Sequence, residues 1–463
     1  MTLFTLLIVF CLVGVLEPAH AYNATKVTNF MDASQTIQEA INAATPSDTI
    51  HISSGVYFEH IIINKSITIV GEGWTSTIIN GNQSGTIAEI LSDNVSLCGF
   101  TLCDAEKAIA LTNVKNCEIR DNLITNISLT YGTAIHADSC ENITVEENNF
   151  ENIYFNPILF YQTKNSHIKG NSFIANMRFC QPISLRFSSN NVIELNVVSG
   201  HGVENEGGIG LLYSNNNVIR YNQIIENDWA GISIRSSNCC VIEGNTIVGH
   251  QWYGLRMENC KDNNVHWNNF VSNYKDAYLE SCENMTWDSE NWGNYWDDYS
   301  GKDKNNTGIG DEPYQIDLEN YDIYPLMGEF YRYEVNSIVD GKTEIFLVSN
   351  STVDALCLVN MSESVFINVN VSGNQGTFGF CLAKFSKDIV ESPYCVEVNG
   401  FAPIALVDYS NGAFAVLYFS YLHQNQQEVI VIVPEFGWSS LFIVFCVLLL
   451  MTSHKQLLHR IKK

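Results

Sequence analysis

Ile219-Arg220-Tyr221-Asn222-Gln223-Ile224, Ile242-Glu243-Gly244-Asn245-Thr246-Ile247 and Val265-His266-Trp267-Asn268-Asn269-Phe270 share one pattern: Ile or Val, two residues, Asn, one residue, then Ile or Phe. Earlier copies centre on Asn122, Asn148, Asn171 and Asn196, where Val198 also fills the last position. Successive Asn positions are 26, 23, 25, 26, 23 and 23 residues apart. A fixed period of this size means a solenoid with one supersecondary unit per repeat.

The unit is β. Thirteen residues before each Asn stand Ile109, Ile135, Ile158, Ile183, Ile209, Ile232 and Leu255. Eleven before stand Leu111, Ala137, Phe160, Leu185, Leu211, Ile234 and Met257. Two apolar columns two residues apart are the period of a strand. A helical repeat would need apolar spacings of three and four over ten or more residues, which are missing. Eight before each Asn lies a small-residue column: Val114, Cys140, Thr163, Ser188, Ser214, Ser237 and Cys260. Six before lies a second polar column, with Asn116, Asn142, Asn165, Asn190 and Asn216. Short strands separated by Asn, Ser and Gly corners predict a right-handed parallel β-helix, in which stacked Asn side chains hydrogen-bond along the corner. About ten coils at ~4.8 Å each would make a rod roughly 50 Å long. Residues 35–44 predict a short helix capping its open end, with Ser34 as N-cap and Ile37 and Ile41 facing the rod.

The domain layout follows from composition along the chain. Residues 1–21 read as a signal peptide, apolar over 3–15 and ending Ala19-His20-Ala21. The β-helix is expected over 22–288 and its C-terminal cap over 289–329, where Trp, Tyr, Gly and Asp are dense. Alternating runs over 330–434 predict a β-sandwich. Residues 436–453 lack charge and precede a basic tail, 454–463. They predict one transmembrane helix with a cytoplasmic tail and the bulk of the chain extracellular. The fold class is therefore all-β, with one short capping helix and one membrane helix.

A net charge of −26 argues against nucleic acid as a partner and for an acidic, soluble exterior. Eleven Asn-x-Ser/Thr sequons, including Asn350, Asn360 and Asn370, suit a glycoprotein. Cys260 and Cys282 are expected on neighbouring coils, close enough for a disulfide or simple packing. No organic cofactor is implied. The turn Asp303-Lys304-Asn305-Asn306-Thr307-Gly308-Ile309-Gly310-Asp311 alternates oxygen donors around a Gly. Asp303, Asn305, Thr307, Asp311 and the Ile309 carbonyl are its candidate calcium ligands, with Thr307 in place of a carboxylate.

Three segments also carry a family resemblance. Gly293-Asn294-Tyr295-Trp296-Asp297-Asp298-Tyr299, Gly308-Ile309-Gly310-Asp311-Glu312-Pro313-Tyr314 and Asp322-Ile323-Tyr324-Pro325-Leu326 resemble the cap of NosD-type β-helices. The likeness covers roughly residues 30–327. It implies a carbohydrate-binding or sugar-hydrolase-like β-helix, and its namesake implies a role in copper-site assembly. Val433-Pro434-Glu435-Phe436-Gly437 resembles the tail of archaeal surface proteins, which implies processing by a sortase-like enzyme.

Copper assembly finds little support in the residues. His201 and His250 fall in one corner column with Asn227 between them, about 10 Å apart, too far to share a metal. Catalysis by a polysaccharide lyase or glycoside hydrolase would need paired carboxylates on adjacent coils. Gly200-His201-Gly202 has no such pair beside it. A binding surface is better supported. Outward strand positions carry Asp138, Tyr161, Arg186, Arg235 and Arg256, and Trp229, Trp252, Tyr253 and Tyr274 sit where strands begin. Aromatic rings that stack on sugars, with charged groups beside them, suit an extracellular polysaccharide or surface glycoprotein. The expected function is a surface β-helix that binds or organises glycans. The rivals are a polysaccharide-cleaving enzyme and a structural surface-layer or adhesion rod.

Overall fold

The computed structural model describes residues 27–30, 36–127, 132–174, 181–200, 207–337, 341–361 and 364–434. The chain winds as a right-handed parallel β-helix through three sheets of 11, 10 and 11 strands. The ten-stranded sheet holds the longest strands, among them Thr133–Asp138, Gly207–Leu212, Ala230–Arg235 and Tyr253–Glu258. Each coil leaves a long strand, turns into a short one such as Val218–Arg220, and turns again into one such as Gln223–Ile225. The apolar columns then stack in line. Ile183, Ile209, Ile232 and Leu255 pair successively, as do Leu185, Leu211, Ile234 and Met257. All eight are at most 1% exposed, and each contributes roughly 2 kcal/mol by leaving water.

The two asparagine columns do different physical work. The anchor residues from Asn122 to Asn268 are buried, and each Nδ2 donates to the Oδ1 of the next anchor at 2.9–3.1 Å. That same Oδ1 accepts the previous anchor's backbone N–H, also at 2.9–3.1 Å. Remaining donor capacity goes to carbonyls, as when Asn222 Nδ2 reaches Ile193 O at 2.9 Å and Arg220 O at 3.0 Å. No polar atom of the corner is left dry and unpaired. The column six residues earlier is exposed instead, and its members from Asn116 to Asp262 hold φ between +54° and +57°. Asn is favoured there because it tolerates the left-handed conformation.

The ladder ends on a carboxylate. Asn294 is its eighth member, and its N–H and Nδ2 meet Asp322 Oδ2 at 2.7 and 3.3 Å. Trp296 Nε1 donates to the same oxygen at 2.9 Å, and the Tyr324 N–H to Oδ1 at 3.0 Å. Burial pushes Asp322 up to about 6, while these N–H donors hold it back. At neutral pH an acceptor-only group thus closes a column whose free end offers only donors.

At the opposite end the helix Ile37–Ala43 buries Ile37 and Ile41 against the first coils. Its N-cap is Thr36 rather than the expected Ser34. Glu39 stands three residues on and completes a capping box, with reciprocal bonds of 3.1 Å. Beyond the cap, strands between Glu329 and Pro434 form two antiparallel sheets of five and four strands. Trp267 stacks on Phe330 at 5.5 Å, Arg332 lies 4.4 Å over Tyr221, and Asn269 exchanges two hydrogen bonds with the Phe330 backbone. These contacts seat the sandwich on the side of the rod. Cys260 and Cys282 are both reduced thiols, with no disulfide between them.

The membrane element of the expected fold class is corrected. A span needs about 20 apolar helical residues. Among the described residues no helix is long and apolar enough to cross a membrane. The expected anchor 436–453, signal peptide 1–21 and tail 454–463 lie outside the described residues, as does the Glu435-Phe436-Gly437 part of the archaeal-type tail. The membrane partner expected through that helix is without support.

Replacing Asn222 by Ala removes an acceptor used twice and a donor used three times in a dry corner. Chemical denaturation should show a loss on the order of 3 kcal/mol, against less than about 1 kcal/mol for the exposed Asn165→Gly.

Candidate functional site

Residues that point away from the core of the long-strand sheet form a face along the rod. Aromatic rings cluster at the strand ends of three coils and at the strand starts of the three coils after them. Where strands begin, Trp229 and Trp252 lie 5.0 Å apart, Trp252 and Tyr274 6.1 Å, and Trp229 and Tyr253 6.2 Å. Tyr253 in turn stacks on Tyr278 at 4.9 Å. Trp252 is 45% exposed and Tyr274 78%, so the row reaches solvent. Where strands end, Phe187 and Tyr213 stack at 5.2 Å with an interplanar angle of 13°, and Tyr161 meets Phe187 edge-on.

Phe187 and Tyr213 went unnoticed in the sequence. They fill a corner column otherwise held by Asn113, Ser139, Gln162, Ser236 and Asn259, all with positive φ. Phe187 has φ +54° and Tyr213 +50°, although bulky side chains there cost roughly 1–2 kcal/mol. Both rings are half-exposed, so core packing does not compensate the strain. The available signal was two aromatics interrupting a polar column nine residues before the anchor Asn.

Between the aromatic rows the surface dips. Gly210 is paired in register with Ser184 on one side and Ser233 on the other. Gln181, Arg186 and Arg235 complete the walls of this shallow, solvent-open depression. A Cβ at Gly210 would lie 2.1 Å from Gln181 Nε2, so any larger residue would displace the carboxamide that lies over the glycine. Arg186 and Arg235 flank Leu212 in the same outward column, about 10 Å apart by strand spacing. Trp229 Nε1, Ser233 Oγ and Arg256 Nη1 are buried on this face without a hydrogen-bond partner. Arg256 pairs with Glu258 through Nη2.

Eight of the nine expected glycan residues therefore share this face, although Tyr161 enters only through Phe187. Asp138 is apart: it is paired with Tyr161 at the far end of the series, roughly 19 Å from the Arg235 coil. The candidate calcium residues gather in one turn, where their carboxylates brace the backbone. Asp303 accepts the Thr307 and Gly308 N–H groups at 3.0 and 2.8 Å, and Asp311 accepts Lys304 N–H at 2.9 Å and Asn305 Nδ2 at 3.2 Å. The Ile309 carbonyl accepts the Thr307 hydroxyl at 3.3 Å.

A different acidic group forms where rod meets cap. Carboxylate oxygens of Asp276, Asp297 and Asp298 lie within 4.8 Å of one another. Asp276 follows Gly208, Gly231 and Gly254 in an inward column, a substitution that only the strand pairing makes visible. Burial, aided by the charges of Asp297 and Asp298, pushes its carboxyl up to about 7, and Asn273 Nδ2 opposes the shift with a bond of 2.9 Å.

With this geometry in view, likeness to known proteins places the chain. The model of the family described as periplasmic copper-binding protein (NosD) matches residues 41–203 and 158–301, more than half of the sequence. The chain belongs to the NosD family. A cell surface glycoprotein of Methanothermus fervidus is 34% identical over 128 residues, 27% of this chain and 20% of that protein. A probable ABC transporter binding protein NosD of Stutzerimonas stutzeri is 38% identical over 55 residues, 12% of this chain and 13% of that protein. The matched stretches thus span a fifth or less of these relatives' lengths. Among solved structures, the A-module of the Azotobacter vinelandii mannuronan C-5 epimerase AlgE4 aligns with 56% of this chain and 88% of its own, at 14% identity and a TM-score of 0.43.

The copper in the NosD family description can be set against the donors present. Copper favours imidazole, thiolate and thioether. Among the described residues the cluster with metal-ligand spacing is the all-carboxylate Asp276–Asp297–Asp298 group. His250 is 1% exposed and both ring nitrogens are engaged: Nδ1 accepts the Asn227 N–H at 3.1 Å, and Nε2 lies 3.2 Å from Ile224 O. Burial lowers it to about 4, so it is a neutral corner residue standing in for Asn. His266 is held by Glu243 and Asn264. His201 lies outside the described residues. The described donor set does not fit copper.

Because Asp276 titrates higher when folded than when unfolded, its contribution is favourable below about pH 4 and is lost as pH rises through about 7. Melting temperatures measured from pH 4 to pH 8 should therefore fall less for Asp276→Asn than for the parent chain, a difference of up to about 4 kcal/mol.

Proposed function

We propose that this NosD-family protein binds extracellular glycans on the outward face of its long-strand sheet, without cleaving them. The observation that carries this reading is two rows of solvent-exposed aromatic rings, one at strand ends and one at strand starts of the following coils, on a face lined by small and polar residues. Pyranose rings present apolar C–H faces that stack on Trp, Tyr and Phe, while their hydroxyls need hydrogen bonds that the intervening Ser, Gln and Arg supply. Tyr221 and Trp267 also fill positive-φ corners, but the sandwich packs onto them, whereas Phe187 and Tyr213 are half-exposed, and strain retained at a binding surface is a recurrent arrangement.

Two further facts support the reading. Exposed sequons occur at Asn64, Asn82, Asn94, Asn126, Asn142, Asn284, Asn305 and Asn350, and none lies on a strand of the long-strand sheet. Glycosylation would then leave this face clear. The relative named as a cell surface glycoprotein supports a location outside the cell membrane. Such a rod would organise surface polysaccharide along its length, with one sugar per coil or two as the repeat distances allow.

Retention on immobilised polysaccharide and a glycan array should drop roughly tenfold for Trp229→Ala/Trp252→Ala and again for Phe187→Ala/Tyr213→Ala, about 1.4 kcal/mol each. Equal retention by the parent and both double variants would overturn the proposal. Conversion of the bound polysaccharide to shorter products by the parent chain would overturn its non-catalytic part.

A further inference from the structure

We infer that the depression over Gly210 is a subsite for an anionic substituent of the glycan, a carboxylate or a sulfate ester, held by Arg186, Arg235 and the Ser233 hydroxyl. It rests on the glycan-binding reading above and narrows it to acidic polysaccharide.

Three independent observations converge there. The first is Ser233. It is 3% exposed, it lines the depression, and its Oγ has no hydrogen-bond partner. A buried hydroxyl left unpaired is destabilising, so an acceptor arriving in the depression would satisfy it. The second is Arg186. In a chain with 50 acidic and 24 basic residues, Arg120, Arg220, Arg256 and Arg332 each lie within 4.0 Å of a carboxylate. Arg186 has none among the described residues, and its Nε reaches only the Ser184 hydroxyl at 3.4 Å. Its remaining N–H groups form the planar fork that fits a carboxylate or sulfate bidentately.

The third is placement. Arg186 is followed directly by Phe187, and Leu212 by Tyr213, so the stacked ring platform borders the depression. A sugar ring lying on that platform would carry its acidic group toward Gly210, beside the Gln181 carboxamide that lies over it. Arg235 faces the group from the coil beyond Leu212, with Glu258 as its next neighbour in the column. Neutral sugars would stack equally well and could bond these groups through hydroxyls, but they carry no charge to match Arg186 and Arg235.

The experiment uses the full chain and three probes: a galacturonic acid hexamer, a sulfated galactose hexamer and a neutral galactose hexamer. The expected result is binding of one or both acidic hexamers roughly tenfold tighter than the neutral one. Which acidic hexamer prevails distinguishes carboxylate from sulfate. Arg186→Ala should lower acidic affinity about tenfold and leave neutral affinity unchanged. Ser233→Ala separates ligand from structure: it should leave the melting temperature unchanged or raised, yet weaken acidic binding about threefold. Equal affinity for all three hexamers, with Trp252→Ala still weakening them, would overturn the anionic subsite and leave the glycan reading standing. Unchanged acidic affinity in both Arg186→Ala and Ser233→Ala would also overturn it. Binding of none of the three would overturn both.

Discussion

A parallel β-helix must turn its backbone sharply inside a dry wall, and every polar group at that turn needs a partner. At the anchor corner the requirement is met by one carboxamide per coil, while Ser and further Asn ladders serve other turns. Each anchor Asn bonds to the coil above and the coil below, so its own turn is satisfied only if the neighbours stand at strand spacing and in register. The ladder thereby does more than hold a corner. It fixes which residues of successive coils lie side by side, and every row on the outside of the rod follows from it.

The same constraint explains the ends. A ladder of amides has a donor end, and exposing that end or burying it unpaired would be costly. Asp322, contributed by a strand pair in the cap, supplies a carboxylate that meets the backbone and side-chain donors of Asn294 together with the Trp296 indole. The N-terminal end is covered by a two-turn helix whose capping box keeps its own first amides paired. Corner residues with positive φ then become attachment points. Tyr221 and Trp267 stand in such a column, and the sandwich packs onto them.

The proposed glycan face lies where residues depart from what the ladder needs. Polar residues with positive φ suffice for a corner, yet Phe187 and Tyr213 occupy two of them. A small hydroxyl suffices for an outward strand position, yet Ser233 is buried without a partner, two coils from Arg186, which has no carboxylate within 4.0 Å among the described residues. These departures lie together on one face, which the regular columns frame but do not themselves explain. His250 is the opposite case. It looks like a ligand in the sequence but reproduces the hydrogen bonding of the Asn it replaces.

The sequence by itself determined the coil, its inward columns and the anchor ladder, because those depend on spacing along the chain and every coil repeats it. The Trp229, Trp252 and Tyr274 row was also readable, since its members recur at nearly the coil period. Only the tertiary structure decided the rest. Asp322 closes the ladder from 28 residues beyond Asn294, through a cap with no repeat to count. Asp276 joins Asp297 and Asp298 because coil and cap fold against one another. Arg186, Ser233 and Gly210 meet because strand pairing brings three coils into line across loops of unequal length, and such adjacency is set by register rather than by separation in sequence.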